Sequence, residues 1–300
     1  MIPASELPIN SDGSVFHLHL RPEQIADKII LVGDQDRVTM VGRYFDTIEC
    51  EVQSREFHTI TGLYKGKRIS CVSTGIGCDN IDIVMTELDA LANIDLTTRE
   101  VKPQLKSLEL VRLGTCGGLQ PFTPIGTFVA SVKSIGFDGL LNYYDGRDEV
   151  CDLPLEDAFV EHMGWSPKKP APYVVTADKG LIERITGTQS NALPFSKVTE
   201  DGWVCGMTIA CGGFYGPQGR TVRLKPQDVD QNKKIEAFRY DGMAVCNFEM
   251  ESSALAGLAA LMGHKAMTCC LVIANRYNKE MNTNYKGNIE DLIQAVLDRI

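Results

Sequence analysis

Lys28-Ile29-Ile30-Leu31-Val32-Gly33-Asp34-Gln35 sets the fold class. Four consecutive apolar residues are too few for a buried helix and suit a strand buried on both faces; Gly33 then breaks the run, and helical periodicity takes over from Gln35 to Phe45. The same grammar recurs at Arg68 to Thr74, Leu108 to Gly114, Gly126 to Val132, Tyr173 to Ala177, Val204 to Cys211 and Ala266 to Asn275. Further helices are expected at Asn80 to Leu91, Glu251 to Met262 and Asn288 to Ile300. Strands alternating with helices predict an α/β fold: a single domain with a central mixed, largely parallel sheet flanked by helices. Several strands end in glycine turns, namely Gly33, Gly75-Ile76-Gly77 and Gly114-Thr115-Cys116-Gly117-Gly118, where backbone can approach a shared ligand at the carboxyl rim. Residues 1–13 are expected as a flexible tail, and Tyr143 to Pro172 as loop with one helix.

With 300 residues, 44% hydrophobic and 23% charged, the chain has ordinary globular composition, and no linker or repeat divides it. A net charge of -9 and a pI near 5.1 exclude blanket binding of nucleic-acid phosphates. No apolar run reaches the roughly 20 residues of a membrane span, and the N-terminal stretch lacks a signal-type apolar core. A cytoplasmic location is expected. The ten cysteines lack CxxC pairing and several fall inside apolar strands, which predicts reduced thiols. Five scattered histidines give a metal site no support.

Chemistry concentrates in a few places. Gly213-Phe214-Tyr215-Gly216-Pro217-Gln218-Gly219-Arg220 sets an amide and a guanidinium two residues apart beside aromatic rings, a combination that reads the edge of a flat heterocycle. Asn247-Phe248-Glu249-Met250-Glu251-Ser252 offers carboxylates to sugar hydroxyls. Glu249 and Glu251 would face different sides of a helix, so only a helix start or strand end lets both point at one sugar; Glu251 is the stronger candidate, since Glu249 can also be read as an acidic first turn serving the helix dipole. Gly33 at a helix start, with Arg37, Arg55, Arg112 and Thr115, would cradle an oxyanion through helix-terminal N–H groups and guanidinium forks. Gly75-Ile76-Gly77 lacks the third glycine of a dinucleotide fingerprint, Asn80 standing there, and reads as a strand-to-helix turn.

In register, Val15-Phe16-His17-Leu18, Gly33-Asp34-Gln35-Asp36-Arg37-Val38, Arg55-Glu56-Phe57, Ser73 to Gly77, Arg112-Leu113-Gly114-Thr115, Phe214 to Arg220, Asn247 to Ser252 and Asn275-Arg276 resemble the uridine phosphorylases of the nucleoside phosphorylase I family. The resemblance implies a three-layer phosphorylase-type fold and a transferase that splits nucleosides with inorganic phosphate in pyrimidine salvage, with no cofactor. Gly33, Arg37, Arg112 and Thr115 would bind phosphate, with Arg55 from a neighbouring subunit. Thr115, Glu249, Met250 and Glu251 would hold ribose, with His17 reaching the 5′-hydroxyl across the subunit boundary. Phe214, Gln218 and Arg220 would take uracil, with Arg276 behind; Arg112, Arg220 and Glu251 would carry catalysis. Implied partners are a small nucleoside and phosphate, in a homo-oligomer with a dimer as minimal unit and a hexamer open. A structural monovalent cation near Glu56, Ile76 and Asn80 is also open.

Two relatives of the same fold compete with this reading: a purine nucleoside phosphorylase, and a nucleosidase that uses water. The arginine trio would have no substrate in the second, and Arg276 after Asn275 favours an anionic pyrimidine over the first.

Overall fold

The structure, a computed structural model, describes residues 1–188 and 202–300. In chain order the elements are β1 (Lys28–Val32), α1 (Gln35–Gly42), β2 (Thr47–Ser54), β3 (Phe57–Tyr64), β4 (Lys67–Ser73), α2 (Cys78–Asn93), β5 (Ile94–Asp95), β6 (Glu100–Val101), β7 (Glu109–Gly118) and β8 (Phe128–Gly136). There follow α3 (Arg147–Val150), α4 (Leu153–Met163), β9 (Tyr173–Thr176), α5 (Lys179–Thr186), β10 (Trp203–Ala210), α6 (Gln231–Ala237), β11 (Arg239–Tyr240), β12 (Met243–Glu249), α7 (Ser252–Leu261), β13 (Lys265–Asn275), β14 (Glu280–Met281) and α8 (Lys286–Arg299).

The large sheet runs β11-β12-β10-β8-β13-β7-β1-β4-β3-β2. β4, β1, β7 and β13 form one parallel block, and β8, β10 and β12 another, joined by the antiparallel β13–β8 pair. β12 also pairs with the far end of β7 through Asn247↔Gly118 and Phe248↔Gly117, so this half of the sheet closes on itself. Period-two alternation along the strands divides the core between the two faces. Ile30, Val32, Val111 and Leu113 pack against α1, α5 and α8, whereas Ile29, Leu31, Val72 and Leu110 pack against α2 and α7. The mixed α/β, three-layer expectation holds.

Three of the longer strands lie outside the sequence expectation. β2 is a solvent-facing edge, and β3 hides its burial behind polar letters: His58, Thr59 and Thr61 are buried, Thr61 donating to Gln24 O at 2.7 Å. β12 lies between two motifs that read as loop and helix start. β7 is longer than expected, running through the glycines to Gly118 instead of stopping at Gly114. A Cβ on Gly114 would strike the Arg112 guanidinium, and one on Gly118 the backbone oxygen of Thr123. Between Tyr143 and Pro172 the chain forms two helices, α3 and α4, the second capped by Asp152, whose carboxylate accepts from Leu155 N. The first residues, read as a tail, bury Leu7 and form a bridge between Ile9 and Val15. All ten cysteines are free. No helix among the described residues is long and apolar enough to cross a membrane.

Candidate active site

A cavity of about 300 Å³ opens where the carboxyl ends of β1, β7, β12 and β13 meet. Gly33, Arg37, Arg112, Thr115, Phe214, Gln218, Arg220, Glu249, Met250 and Glu251 all line it, although they come from separate stretches of chain. Asp34, Ile76, Cys116, Met281 and Tyr285 complete much of the wall.

At one end, α1 begins at the glycine turn. Asp34 caps it, accepting from Arg37 N at 2.9 Å, and the same carboxylate lies 3.0 Å from the Arg37 guanidinium. Arg37 also donates to Leu113 O at 3.3 Å, which pins its fork over the cavity floor. The neighbouring backbone N–H groups at the start of α1 make this end anion-seeking.

The middle is a buried ionic knot. Arg112, 4% exposed, reaches Glu249 at 3.2 Å and forms a short bond to Glu251. Glu249 ends β12 and Glu251 is the N-cap residue of α7, so the turn between them is the geometry that lets both carboxylates face one point. Glu249 accepts from Glu251 N at 2.9 Å and from the Ser252 hydroxyl at 2.6 Å, satisfying donors at the start of α7. Glu251 accepts from Gly77 N at 2.7 Å, where Gly77 sits at φ 101°, a backbone state that glycine tolerates. Burial pushes the Glu249 carboxyl above its usual range, with Glu251 adding to the effect, even against the pull of Arg112. Burial alone would lower Arg112, but Glu251 and Glu249 together hold it above its ordinary value.

At the other end, Gln218 is buried rather than an exposed turn residue. Its Oε1 accepts from Arg276 at 3.2 Å and from Arg220 at 3.5 Å. Arg220 donates to Phe214 O at 3.0 Å, and its guanidinium lies 3.9 Å from the Phe214 ring centre. Burial lowers the Arg220 pKa; burial, then Arg220 itself, brings Arg276 down to about 10. The loop is held from behind by α6: Gln231 donates to Pro217 O at 2.8 Å and Asn232 to Gln218 O at 3.3 Å. Sequence reasoning misses both, since nothing local ties an amide to a loop 14 residues away.

Arg276 stands behind the wall, over the Phe248 ring at 5.3 Å. His17 and Arg55 lie outside the cavity and beside each other: the Arg55 guanidinium sits 5.3 Å over Phe16, and Phe16 meets the His17 ring edge-on at 4.9 Å. Glu56 and Asn80 flank Gly75 on the nearby rim. Guanidinium and N–H donors at one end, paired carboxylates in the middle and an amide with two guanidiniums at the other can hold an oxyanion, a polyol and a polar ring in line.

Residues 27–299 match the family described as the phosphorylase superfamily. The chain is 26% identical to a uridine phosphorylase of Thermococcus kodakarensis over 92% of this chain and 83% of that one. It is 33% identical to a DeoD-type purine nucleoside phosphorylase of Anoxybacillus flavithermus, over 94% and 97%. Among solved structures, a Trypanosoma brucei nucleoside phosphorylase described as showing uridine phosphorylase activity aligns with TM-score 0.79 and 26% identity, covering 98% of this chain and 100% of that chain.

Proposed function

The chain belongs to the phosphorylase superfamily, and from that premise we propose that it catalyses reversible phosphorolysis of a pyrimidine nucleoside, converting uridine and phosphate to uracil and ribose 1-phosphate. The observation that carries this reading is the base end of the cavity, where Gln218 is clamped between Arg220 and Arg276. A uracil ring presents two carbonyl oxygens around an N–H; Gln218 matches the N3/O2 side and Arg220 the O4 side, with Phe214 against the ring face.

In this mechanism a phosphate oxygen attacks C1′ from the face opposite the base while the C1′–N1 bond breaks and its electron pair passes into the ring. The sugar becomes oxocarbenium-like, stabilised by the phosphate beneath it, and the negative charge on the pyrimidine oxygens is met by Arg220 and Gln218. Glu249, Met250 and Glu251 orient the ribose, with Thr115 between sugar and phosphate. Gly33, Arg37 and Arg112 hold the phosphate. Within the cavity, Arg37, Arg112 and Arg220 face Asp34, Glu249 and Glu251, so three guanidiniums are already balanced by three carboxylates. A phosphate dianion therefore calls for further positive charge, which fits Arg55 arriving from a second copy of the chain, with His17 beside it on the 5′-hydroxyl.

The 33% identity to a purine enzyme favours a second reading, in which the base is a purine. A purine leaving group benefits from a proton donor near N7. Here the strand-end residue is Asn275, whose amide is committed to Gln120 O at 3.2 Å and Thr123 O at 2.7 Å, followed by Arg276, and neither is such an acid. Turnover of uridine and inosine with and without phosphate tests the proposal. Uridine should be cleaved only with phosphate, releasing ribose 1-phosphate, and inosine about 100-fold more slowly. A preference for inosine would install the purine reading, and cleavage without phosphate would sink both.

A further inference from the structure

Glu87 is a buried carboxylate on α2 whose hydrogen-bond partners among the described residues all come from one turn near the N-terminus. Its Oε1 accepts from His17 N at 2.9 Å and from His17 Nδ1 at 2.7 Å, while Oε2 accepts from Leu18 N at 2.8 Å and from His17 N at 3.1 Å. No lysine or arginine among the described residues pairs with it. A buried carboxylate held wholly by N–H groups of one turn fixes that turn and the side chain on it.

The chemical consequence falls on the imidazole. With its Nδ1–H donated to Glu87, a neutral ring carries a bare lone pair at Nε2 and acts there as an acceptor. Phe16 packs edge-on against the same ring, so ring rotation would forfeit both contacts. The His17 side chain is 28% exposed, leaving it open to a group from outside its own chain. We propose that Glu87 is a positioning residue: it fixes the tautomer and rotamer of His17 so that Nε2 accepts the 5′-hydroxyl of a nucleoside lying in the cavity of a neighbouring copy. This rests on the proposed phosphorolysis of nucleosides.

Glutamine cannot replace this carboxylate. Each oxygen of Glu87 receives two N–H contacts, so in Glu87→Gln one end of the new amide would set NH₂ against N–H donors; at the Oε1 position it would donate to Nδ1 and drive the ring proton to Nε2. The experiment compares KM and kcat for uridine and 5′-deoxyuridine in wild type, Glu87→Gln and His17→Ala, alongside long-range ¹⁵N spectra of the imidazole at alkaline pH. Glu87→Gln should raise the uridine KM about 10-fold with kcat within about threefold, leave 5′-deoxyuridine unchanged and match His17→Ala. Wild-type spectra should report the Nδ1–H tautomer, and Glu87→Gln should lose it. Equal losses on both substrates, an unaltered uridine KM or a wild-type Nε2–H tautomer would overturn the proposal. A wild type without phosphate-dependent cleavage would sink the proposed function instead, and the spectra would then judge the clamp without reference to turnover.

Discussion

Arg220 and Arg112 carry similar charges in different surroundings, and that difference sets what each can do. Arg112 is paired with two carboxylates, whereas Arg220 faces a ring, a carbonyl and an amide with no anion bonded to it among the described residues. In the proposed mechanism it is therefore the guanidinium free to answer charge that develops on a leaving base. Arg220→Ala should lower kcat for uridine by about 10² to 10³, the loss typical of removing a donor that stabilises transition-state charge. Steady-state assays check this, and an unchanged kcat would remove Arg220 from the mechanism. The residue types are legible in the sequence because Gln-x-Arg beside aromatics is chemically distinctive. The burial of Gln218 and its bond to Arg276 are not, since these residues lie 58 positions apart.

Elements matter here through their ends. Gly219, at φ +68°, lets the Phe214–Arg220 loop turn, and a Cβ there would meet the Asn232 Oδ1 at 2.6 Å. Gly219→Ala should cost at least about 1 kcal/mol by denaturant unfolding and raise the nucleoside KM while leaving the phosphate KM in place. Elsewhere, α8 is fastened to the β3–β4 hairpin through Asp298, which accepts from Tyr64 Oη and Lys65 Nζ, each at 2.6 Å. Those two bonds, Lys65 first, hold the Asp298 carboxyl below its ordinary value of 3.8. Its folded pKa is thus depressed, so its contribution to stability is present above pH 3.8 and disappears as acid protonates the native carboxylate. Asp298→Asn should lower the melting temperature at neutral pH and narrow the gap to wild type in acid, as thermal scans across pH would reveal. α2, with its apolar period, and α7, a small-residue apolar run buried on every face, can be read from the sequence. The edge strand β2 and the polar-lettered β3 cannot, because their pattern is set by neighbours across the sheet.

For the whole molecule, the question is whether one chain makes a complete site. Three arginines and three carboxylates balance inside the cavity, while Arg55 and His17 form a separate surface cluster around Phe16. If that cluster serves a second copy, Arg55→Ala and Arg112→Ala should each be nearly inactive alone. Mixed and reassembled, they should recover roughly a quarter of wild-type sites, since a mixed dimer places both defects in one cavity and leaves the other intact. Recovery absent from verified mixed dimers would place Arg55 outside the partner's site.

Local sequence was enough for the alternation of buried strands and helices, the glycine rim and the inventory of guanidiniums, carboxylates and amides, because hydrophobic period and turn chemistry are properties of short stretches. It took the folded chain to end β12 where α7 begins with both Glu249 and Glu251 turned onto Arg112, to brace the Phe214–Arg220 loop with α6, and to close Glu87 on His17. Each of these joins residues far apart in the chain. Their meeting depends on strand order and register, which no local stretch encodes.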